Sequence, residues 1–241
     1  MENKKDLSTQ EAISTNRKLF QALQRDAQEM ISGEKEKKQC NRLFLPISYS
    51  DFRDLFMSFG TYCLLRRNQS QEFIIDKNNE AIIEQLYYYA INNSSFIGDL
   101  GKGIMLQGKY GCGKSVLLET YSTLHNHIVR SCSLKQPLLT FIQSTELQEQ
   151  VIKQSAKAFT QRPLIIDEFG RESKTVQDFG NILRPISELL SIRADIGTLT
   201  HGTTNFTLET LSSSEFYSGM IGDRLKMMFN FIPIPGESRR K

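Results

Sequence analysis

The sequence lacks several features that would place it in a specialised class of protein. Its 241 residues include only four cysteines, which lie far apart, form no CxxC pair and have no histidine at metal-ligand spacing. No apolar run approaches the roughly 18 residues that a membrane-spanning helix needs, and the amino terminus has no apolar signal core. These absences argue against a disulfide scaffold, a zinc module and a membrane protein. They predict a cytoplasmic protein with free thiols.

The chain also lacks a dominant charge. Lysine and arginine number 30 against 27 acidic residues, which gives a net charge of +3 and argues against a strongly basic nucleic-acid coat protein. The surplus lies in residues 222–241, which hold five basic and two acidic residues. With 39% apolar residues, the composition is that of a globular protein with one domain and an appendage or two small domains.

The first part of the chain is polar and carries no recognisable motif. Apolar residues spaced by seven predict an amphipathic helix from about Thr9 to Ile31. Its stripe consists of Ile13, Phe20 and Ala27, with Leu23 and Met30 in a second row and Asn16 in phase with that row. The stripe is too short for an independent coiled coil, so the helix either packs on its own chain or docks on a partner protein. We assign residues 1–70 to an N-terminal helical adaptor region and residues 71–241 to a second domain.

The second domain alternates strand-like and helical patterns, after helical patterns at 51–65 and 79–91. Strand-like runs lie at 103–107, 138–142, 164–166 and 198–204, and helical patterns lie between them at 116–129, 146–159 and 176–193. Pro185 predicts a kink inside the last of these helices. This alternation predicts an α/β fold with a parallel sheet flanked by helices, and such a sheet binds its ligands at the carboxyl ends of the strands.

A phosphate-binding loop follows the first predicted strand. Residues 108–115 read Gly-Lys-Tyr-Gly-Cys-Gly-Lys-Ser and match GxxxxGK[ST] between a strand and a helix. The glycines let backbone N–H groups surround phosphate, and the helix adds its positive end. Lys114 would reach the β and γ phosphates of ATP, and Ser115 would bind Mg²⁺. The predicted nucleotide-binding residues are Gly108, Lys109, Tyr110, Gly111, Cys112, Gly113, Lys114, Ser115 and Val116.

Two acidic residues end the strand-like run Pro163-Leu164-Ile165-Ile166-Asp167-Glu168. Asp167 is predicted to hold Mg²⁺, and Glu168 to act as the general base that activates water. A second carboxylate favours ATP hydrolysis over transfer of phosphate to a metabolite. A P-loop kinase is the less favoured alternative.

Three further polar residues are candidates for catalysis. Asn205 follows the threonine-rich strand, where an amide would orient the lytic water or contact the γ-phosphate; its alternative role is a helix cap. Arg224 lies in a helical pattern that continues to Phe229 and is predicted to act as an arginine finger on a neighbouring subunit. Its alternative is a surface arginine paired with Asp223. Arg193 is a second candidate for the same interface.

These motifs resemble those of AAA+ ATPases of the DnaC/IstB type, which are bacterial helicase loaders and ATP-dependent helpers of insertion-sequence transposons. The resemblance runs from about Phe73 to the C-terminus. It rests on Lys-Gly-Ile-Met-Leu-Gln-Gly at 102–108, Ile-Asp-Glu-Phe-Gly-Arg-Glu at 166–172, Leu-Thr-His-Gly-Thr-Thr-Asn at 199–205, Asp-Arg-Leu at 223–225 and Gly-Glu-Ser-Arg at 236–239. It implies an AAA+ P-loop fold, with a reduced or absent C-terminal lid because the chain stops soon after Arg239.

The resemblance also implies an ATP- and Mg²⁺-dependent homo-oligomer. Such an oligomer binds single-stranded DNA and delivers a replicative helicase or a transposase to it, with Arg224 as the trans-acting finger. We expect a helicase loader; the alternatives are a transposition helper and a nucleotide-switched scaffold with little hydrolysis. Candidate DNA contacts are Lys109, Lys153, Lys157 and the C-terminal arginines.

Overall fold

The computed structural model describes residue 17 and residues 19–34, 43–178 and 181–239, which belong to two compact units. Of the first unit, Met1–Arg42, it describes helix α1, residues 19–34. Phe20, Leu23 and Met30 of the predicted stripe are exposed side chains of this helix, whereas Ile13 and Asn16 lie outside the described residues. Whether the stripe packs on the chain or docks on a partner stays a prediction.

The second unit, Leu43–Lys241, contains the sheet. Its helices are α2 (Tyr49–Arg66), α3 (Glu80–Ala90), α4 (Lys114–Ser131), α5 (Ser144–Gln154), α6 (Pro185–Ile196), α7 (Leu208–Leu211) and α8 (Ser218–Met228), with a 3₁₀ turn at Ala156–Phe159. Its strands are β1 (Gly103–Gln107), β2 (Thr140–Gln143), β3 (Leu164–Phe169), β4 (Val176–Asp178), β5 (Asn181–Leu183), β6 (Thr200–Thr204) and β7 (Phe229–Pro233). No helix of the described residues is long and apolar enough to cross a membrane.

Five strands form one parallel sheet in the order β2-β3-β6-β1-β7. Strands β3 and β6 are buried along nearly their whole length, as expected when helices cover both faces. The carboxyl ends of β1, β3 and β6 lie side by side, because Gln107 pairs with Thr204 and Phe169 pairs with Thr204 from the other side. The predicted α/β class, a parallel sheet between helices, is confirmed.

Two apolar clusters hold the helices on the sheet. One joins α2, α3 and α4 to β1 and includes Phe52, Phe56, Ile83, Tyr121 and Ile104. The other joins α5, α6 and α8 to β3 and includes Leu147, Leu189, Leu225 and Ile166. Helix α2 thus shares a core with the sheet, although it lies before residue 70. The division at residue 70 stays a prediction.

The predicted helix over 176–193 is wrong in its first half. Strands β4 and β5 form an antiparallel hairpin there, and α6 begins at Pro185. Proline has no N–H to donate and disfavours helical backbone in the residue before it, so it starts a helix more readily than it continues one. Pro185 therefore marks the first turn and not a kink.

The last strand was not predicted. The helical pattern expected to continue to Phe229 ends at Met228, and Phe229 has extended backbone, with φ −128° and ψ 145°. From Phe229, the chain pairs with β1 as edge strand β7, where Pro233 is tolerated because an edge leaves some N–H positions unpaired. Residues 234–239, the described segment after β7, contain no helix.

Candidate nucleotide-binding and catalytic site

The loop between β1 and α4 has the backbone that its glycines predict. Gly111 and Gly113 have φ of 80° and 103°, in the left-handed region, and Gly113 is the N-cap of α4. A Cβ at Gly111 would lie 2.3 Å from Ser238 Oγ, so glycine also permits close approach of the C-terminal segment. The loop therefore presents the free N–H groups of the first turn of α4 to a ligand.

Lys114 lies at the centre of this loop and is almost fully buried. Its Nζ donates hydrogen bonds to the carbonyl oxygens of Gly108 (2.7 Å) and Lys109 (2.8 Å) and to Asn205 Oδ1 (2.7 Å). Burial lowers the pKa of its ammonium group. The loop and the end of β6 thus meet at one cation.

A cavity of about 310 Å³ opens beside the loop. Its lining includes the predicted residues from Tyr110 to Val116, with Glu168 and Asn205. Gly108 and Lys109 are not part of the lining; they contribute carbonyl oxygens to Lys114, and the exposed Lys109 side chain pairs with Glu237 at 2.8 Å. The opposite wall comes from the end of α2 and the segment after it and includes Arg67, Phe73, Asp76 and Asn79.

Asp167 lies on β3 and is 2% exposed. Its Oδ1 accepts a hydrogen bond of 2.6 Å from Thr203 Oγ1. Burial raises the pKa of this carboxyl group, and hydrogen bonds from Thr203 and Ser115 act in the opposite direction. Ser115 and Asp167 thus bring a hydroxyl and a carboxylate together, and such oxygen ligands fit Mg²⁺ shared with phosphate and water.

Glu168 occupies an unusual backbone position. Its φ is 60°, and the pairing of β3 with β6 shifts register between Ile166 and Phe169. A bulge of this kind redirects a side chain, and Glu168 lines the cavity. Its carboxylate contacts the Arg171 guanidinium.

Asn205 follows β6 and lines the cavity beside Lys114. The helix cap considered as its alternative role belongs to Thr207, whose side chain accepts a 3.2 Å hydrogen bond from the Thr210 N–H at the start of α7. The Asn205 side chain instead provides an amide at the phosphate end of the cavity.

The two arginine candidates have different environments. Arg224 does not line the cavity; it donates to the Ser191 carbonyl oxygen at 2.9 Å and pairs with Asp195, not with Asp223. Arg193 is fully buried, and the interface role considered for it is wrong. Its guanidinium donates to Thr200 Oγ1 and to the carbonyl oxygens of Phe159, Arg162 and Leu199.

Several contacts were not anticipated from the sequence. Thr203 touches both acidic residues, although its place two residues before Asn205 on a strand was the only signal. Arg239 lines the cavity, donates to Asp76 Oδ1 at 2.8 Å, and has its Cδ 3.7 Å from the Cβ position of Gly113. Its N–H also donates to the Gly111 carbonyl oxygen at 3.0 Å. The C-terminal segment therefore packs against the phosphate loop.

Among the candidate DNA contacts, Lys109, Lys153 and Lys157 do not line the cavity, whereas Arg239 does. Lys153 pairs with Glu149 at 3.8 Å on α5, and Lys157 is exposed on the 3₁₀ turn. Arg240 lies outside the described residues.

The fold and the site define an α/β protein with a P-loop between β1 and α4. A solved structure of a candidate primosome component from Streptococcus pyogenes serotype M3 is similar, with a TM-score of 0.50, 19% identity, and coverage of 84% of this chain and 97% of that chain. This likeness supports the predicted α/β fold, a parallel sheet between helices.

Two further solved structures match with slightly lower scores. DnaI has a TM-score of 0.49 at 19% identity and covers 85% of this chain and 100% of that chain. The DnaC helicase loader has a TM-score of 0.49 at 16% identity and covers 68% of this chain and 93% of that chain. No protein-family model matches the sequence, and no curated protein matches it in sequence.

Proposed function

We propose that this protein is an ATP-hydrolysing AAA+ protein that assembles on single-stranded DNA and loads or remodels a replicative helicase. The observation that carries the enzymatic part is the convergence of Lys114, Glu168 and Asn205 on one cavity, with Asp167 hydrogen-bonded to Ser115 of its lining. Separate segments of the chain supply these groups, and they correspond to the parts that phosphoryl transfer needs.

Binding of ATP uses the loop and the cavity. The N–H groups at the start of α4 and the Lys114 ammonium hold the phosphates, while the cavity wall beyond Arg67 and Phe73 holds the nucleoside. Arg239 lies where it would contact a phosphate, with Asp76 holding its guanidinium. Ser115 and Asp167 would hold Mg²⁺, which neutralises charge on the phosphates when it is bound.

Hydrolysis requires a base and an oriented water molecule. Glu168 accepts the proton of the water, and Asn205 orients it beside Lys114. The Arg171 guanidinium contacts one oxygen, Oε2, of the Glu168 carboxylate, and we expect this contact to break when the carboxylate turns toward the water. The proposal therefore includes a rearrangement at Arg171 on binding of nucleotide, DNA or a second subunit.

A neighbouring copy of the chain supplies the remaining cation of the catalytic site. Arg224 lies away from the cavity of its own chain, so we assign it to the nucleotide of a neighbouring copy in a homo-oligomer. The replication role rests on the resemblance to helicase loaders in the motifs and on the fold shared with the candidate primosome component.

A nucleotide-switched scaffold is the second candidate. The contact between the Arg171 guanidinium and the Glu168 carboxylate favours the scaffold. An enzyme whose general base is held by a cation hydrolyses ATP slowly. In that case ATP binding drives assembly on a partner, and hydrolysis only resets it.

The test is steady-state ATP hydrolysis with and without single-stranded DNA, for the wild type and for Glu168→Gln. We expect DNA to stimulate the wild type and the variant to lose about 10²- to 10⁴-fold in kcat while it still binds ATP. Glu172→Gln is the matched control, since Glu172 contacts Tyr217 and does not line the nucleotide cavity. Wild-type turnover in Glu168→Gln would refute the assignment; tight ATP binding with negligible wild-type turnover would favour the scaffold.

The partner is tested by deletion of residues 1–40. We expect the truncated protein to lose binding to a replicative helicase in a pull-down and to keep its ATPase activity. Loss of both would mean that the segment belongs to the catalytic unit. Retained helicase binding would place the partner surface elsewhere.

A further inference from the structure

We infer that Thr203 is a positioning residue that holds both acidic residues of the site through one hydroxyl group, with Ser144 as a second clamp on Glu168. This inference rests on the proposed ATPase function and assigns a role to two residues for which the sequence motifs predict none. Thr203 lies on β6, and Ser144 opens α5 next to β2. One clamp therefore comes from strand β6 and the other from the residue directly after strand β2, and these two strands flank β3.

The Thr203 hydroxyl both accepts and donates a hydrogen bond. Its Oγ1 accepts a 2.9 Å hydrogen bond from the Glu168 N–H and donates one of 2.6 Å to Asp167 Oδ1. An N–H can only donate, so the hydroxyl proton is available for the carboxylate. Because Thr203 is completely buried, water cannot replace either bond without a rearrangement of the strand.

The backbone at Glu168 needs such support. A left-handed conformation is sparsely populated for glutamate and persists only where the surroundings hold it. The N–H of Glu168 is held by Thr203, and its carbonyl oxygen accepts a 2.9 Å hydrogen bond from Ser144 Oγ. The two hydroxyls thus hold opposite sides of the bulge that aims the Glu168 side chain into the cavity.

Neighbouring threonines of β6 have other partners. Thr204 Oγ1 donates to the Phe169 carbonyl oxygen, and Thr200 Oγ1 donates to the Thr198 carbonyl oxygen and accepts from Arg193. All three threonines are buried to the same extent. Contact with the two acids therefore distinguishes Thr203 from residues of the same type and burial.

The first test compares Thr203→Val with Thr203→Ser. Valine keeps the shape and removes the hydroxyl, which frees Glu168 to tilt and leaves Asp167 with Ser115 as its remaining hydroxyl donor. Loss of a group that orients a metal ligand typically costs about 10- to 100-fold in metal affinity or activity, so we expect a fall of that size in kcat. Metal-free ATP should bind as in the wild type, because Lys114 and the loop are unchanged. Serine restores the hydroxyl and should recover most of the activity.

Thr200→Val is the matched control for stability. It makes the same chemical change at the same burial on the same strand, far from the acids. We expect a lower unfolding midpoint with unchanged kcat per folded molecule. If Thr203→Val behaves like Thr200→Val, or if Thr203→Ser fails to recover activity, Thr203 is structural and the inference is wrong.

A binding measurement separates this inference from the proposed function. The dissociation constant of ATP is measured with Mg²⁺ and with a chelator for the wild type and for Thr203→Val. If the wild type binds ATP but does not hydrolyse it, the proposed ATPase fails, yet Thr203→Val must still lose the gain in affinity that Mg²⁺ provides. An equal gain in both proteins would overturn the role of Thr203.

Ser144→Ala provides the second variant if Thr203→Val does not fold. Ser144 contacts Glu168 and not Asp167, so we expect a lower kcat with an unchanged effect of Mg²⁺ on ATP binding. An unchanged kcat in Ser144→Ala would refute the clamp on Glu168.

Discussion

Strand β6 has buried polar side chains in both its amino half and its carboxyl half, and the two halves differ in their proximity to the cavity. In the amino half, Thr200 accepts a hydrogen bond from Arg193, and His201 Nδ1 accepts one from the Ile104 N–H at 3.0 Å. In the carboxyl half, Thr203 donates to Asp167, and Asn205 follows at the edge. Both halves exclude water, yet only the second leads into a cavity.

The difference shows that a perturbed pKa does not by itself mark a site. Burial lowers the pKa of Arg193 to about 9 and that of His201 to about 3, and such shifts are often used to find catalytic groups. Both side chains, however, are enclosed by their own chain. Lys114 and Asp167 are also buried, but Lys114 lines a cavity that a ligand can enter, and Asp167 is hydrogen-bonded to Ser115 of the same lining.

Arg224 lies outside both halves of β6, and its substitution has the largest expected effect. It is 27% exposed and does not line the nucleotide cavity of its own chain, so the proposed function requires it to act on a second copy. We expect Arg224→Ala to lower kcat by about 10³- to 10⁵-fold without weakening ATP binding, as measured by steady-state hydrolysis and nucleotide titration.

Mixed oligomers provide the control for Arg224. Glu168→Gln keeps its arginine and Arg224→Ala keeps its base, so mixing the two inactive proteins should restore part of the activity at interfaces that combine both. Lys226→Ala, which removes a nearby positive charge on α8, should leave hydrolysis unchanged. Failure of the mixture to recover any activity would argue against action in trans.

Asn205 sharpens the comparison at the carboxyl edge. Removal of one oriented polar group from a reacting centre costs about 10²- to 10³-fold in kcat, and we expect this for Asn205→Ala with an unchanged unfolding midpoint. Thr207→Ala is the paired variant: it removes the cap of α7 and should cost about 1 kcal/mol of stability with normal turnover. The reverse pattern would show that Asn205 has the structural role.

Local sequence signals sufficed for the centre of the site. Strand, glycine loop and helix follow one another within 103–131, so the bounds of β1 and the place of Lys114 could be predicted from adjacent residues. The acid pair was found for the same reason, since it ends a short apolar run. These features depend on chain neighbours and little on tertiary structure.

Features that depend on distant pairing could not be predicted. Residues 176–183 read Val-Gln-Asp-Phe-Gly-Asn-Ile-Leu, and so short a segment fits a helix or a hairpin equally well. The double contact of Thr203 depends on the register shift between β3 and β6, which no local pattern encodes. Arg193 resembled a surface arginine at the end of a helix because two of its carbonyl partners, Phe159 and Arg162, lie 34 and 31 residues away in the sequence.

Arg193 tests the amino half of β6. Arg193→Met keeps much of the volume but leaves Thr200 and three carbonyl oxygens without their donor, so we expect the free energy of unfolding to fall by about 3 kcal/mol. Chemical denaturation measures this loss, and kcat per folded molecule should not change. Arg162→Met, at an exposed arginine nearby, should leave stability nearly unchanged. A fall in kcat at constant stability would place Arg193 in the functional half after all.

His201 has the smallest expected effect, and the direction in which it changes stability with pH is well defined. Its folded-state pKa of about 3 lies below the unfolded value of about 6.5, so the unfolded chain binds an extra proton between these two pH values. Acidification therefore favours unfolding: His201 alone should remove about 2 kcal/mol of stability between pH 7 and pH 5.

In His201→Asn, whose carbonyl oxygen can still accept from the Ile104 N–H, this part of the pH dependence should vanish. His125, which lies close by and has its pKa lowered by burial, is unchanged in both proteins. Denaturation curves at pH 7 and pH 5 measure the loss of stability in the wild type and in His201→Asn. Equal losses in the two proteins would show that His201 is protonated in the folded protein. The amino half of β6 would then be open to water, and the contrast between the two halves would fail.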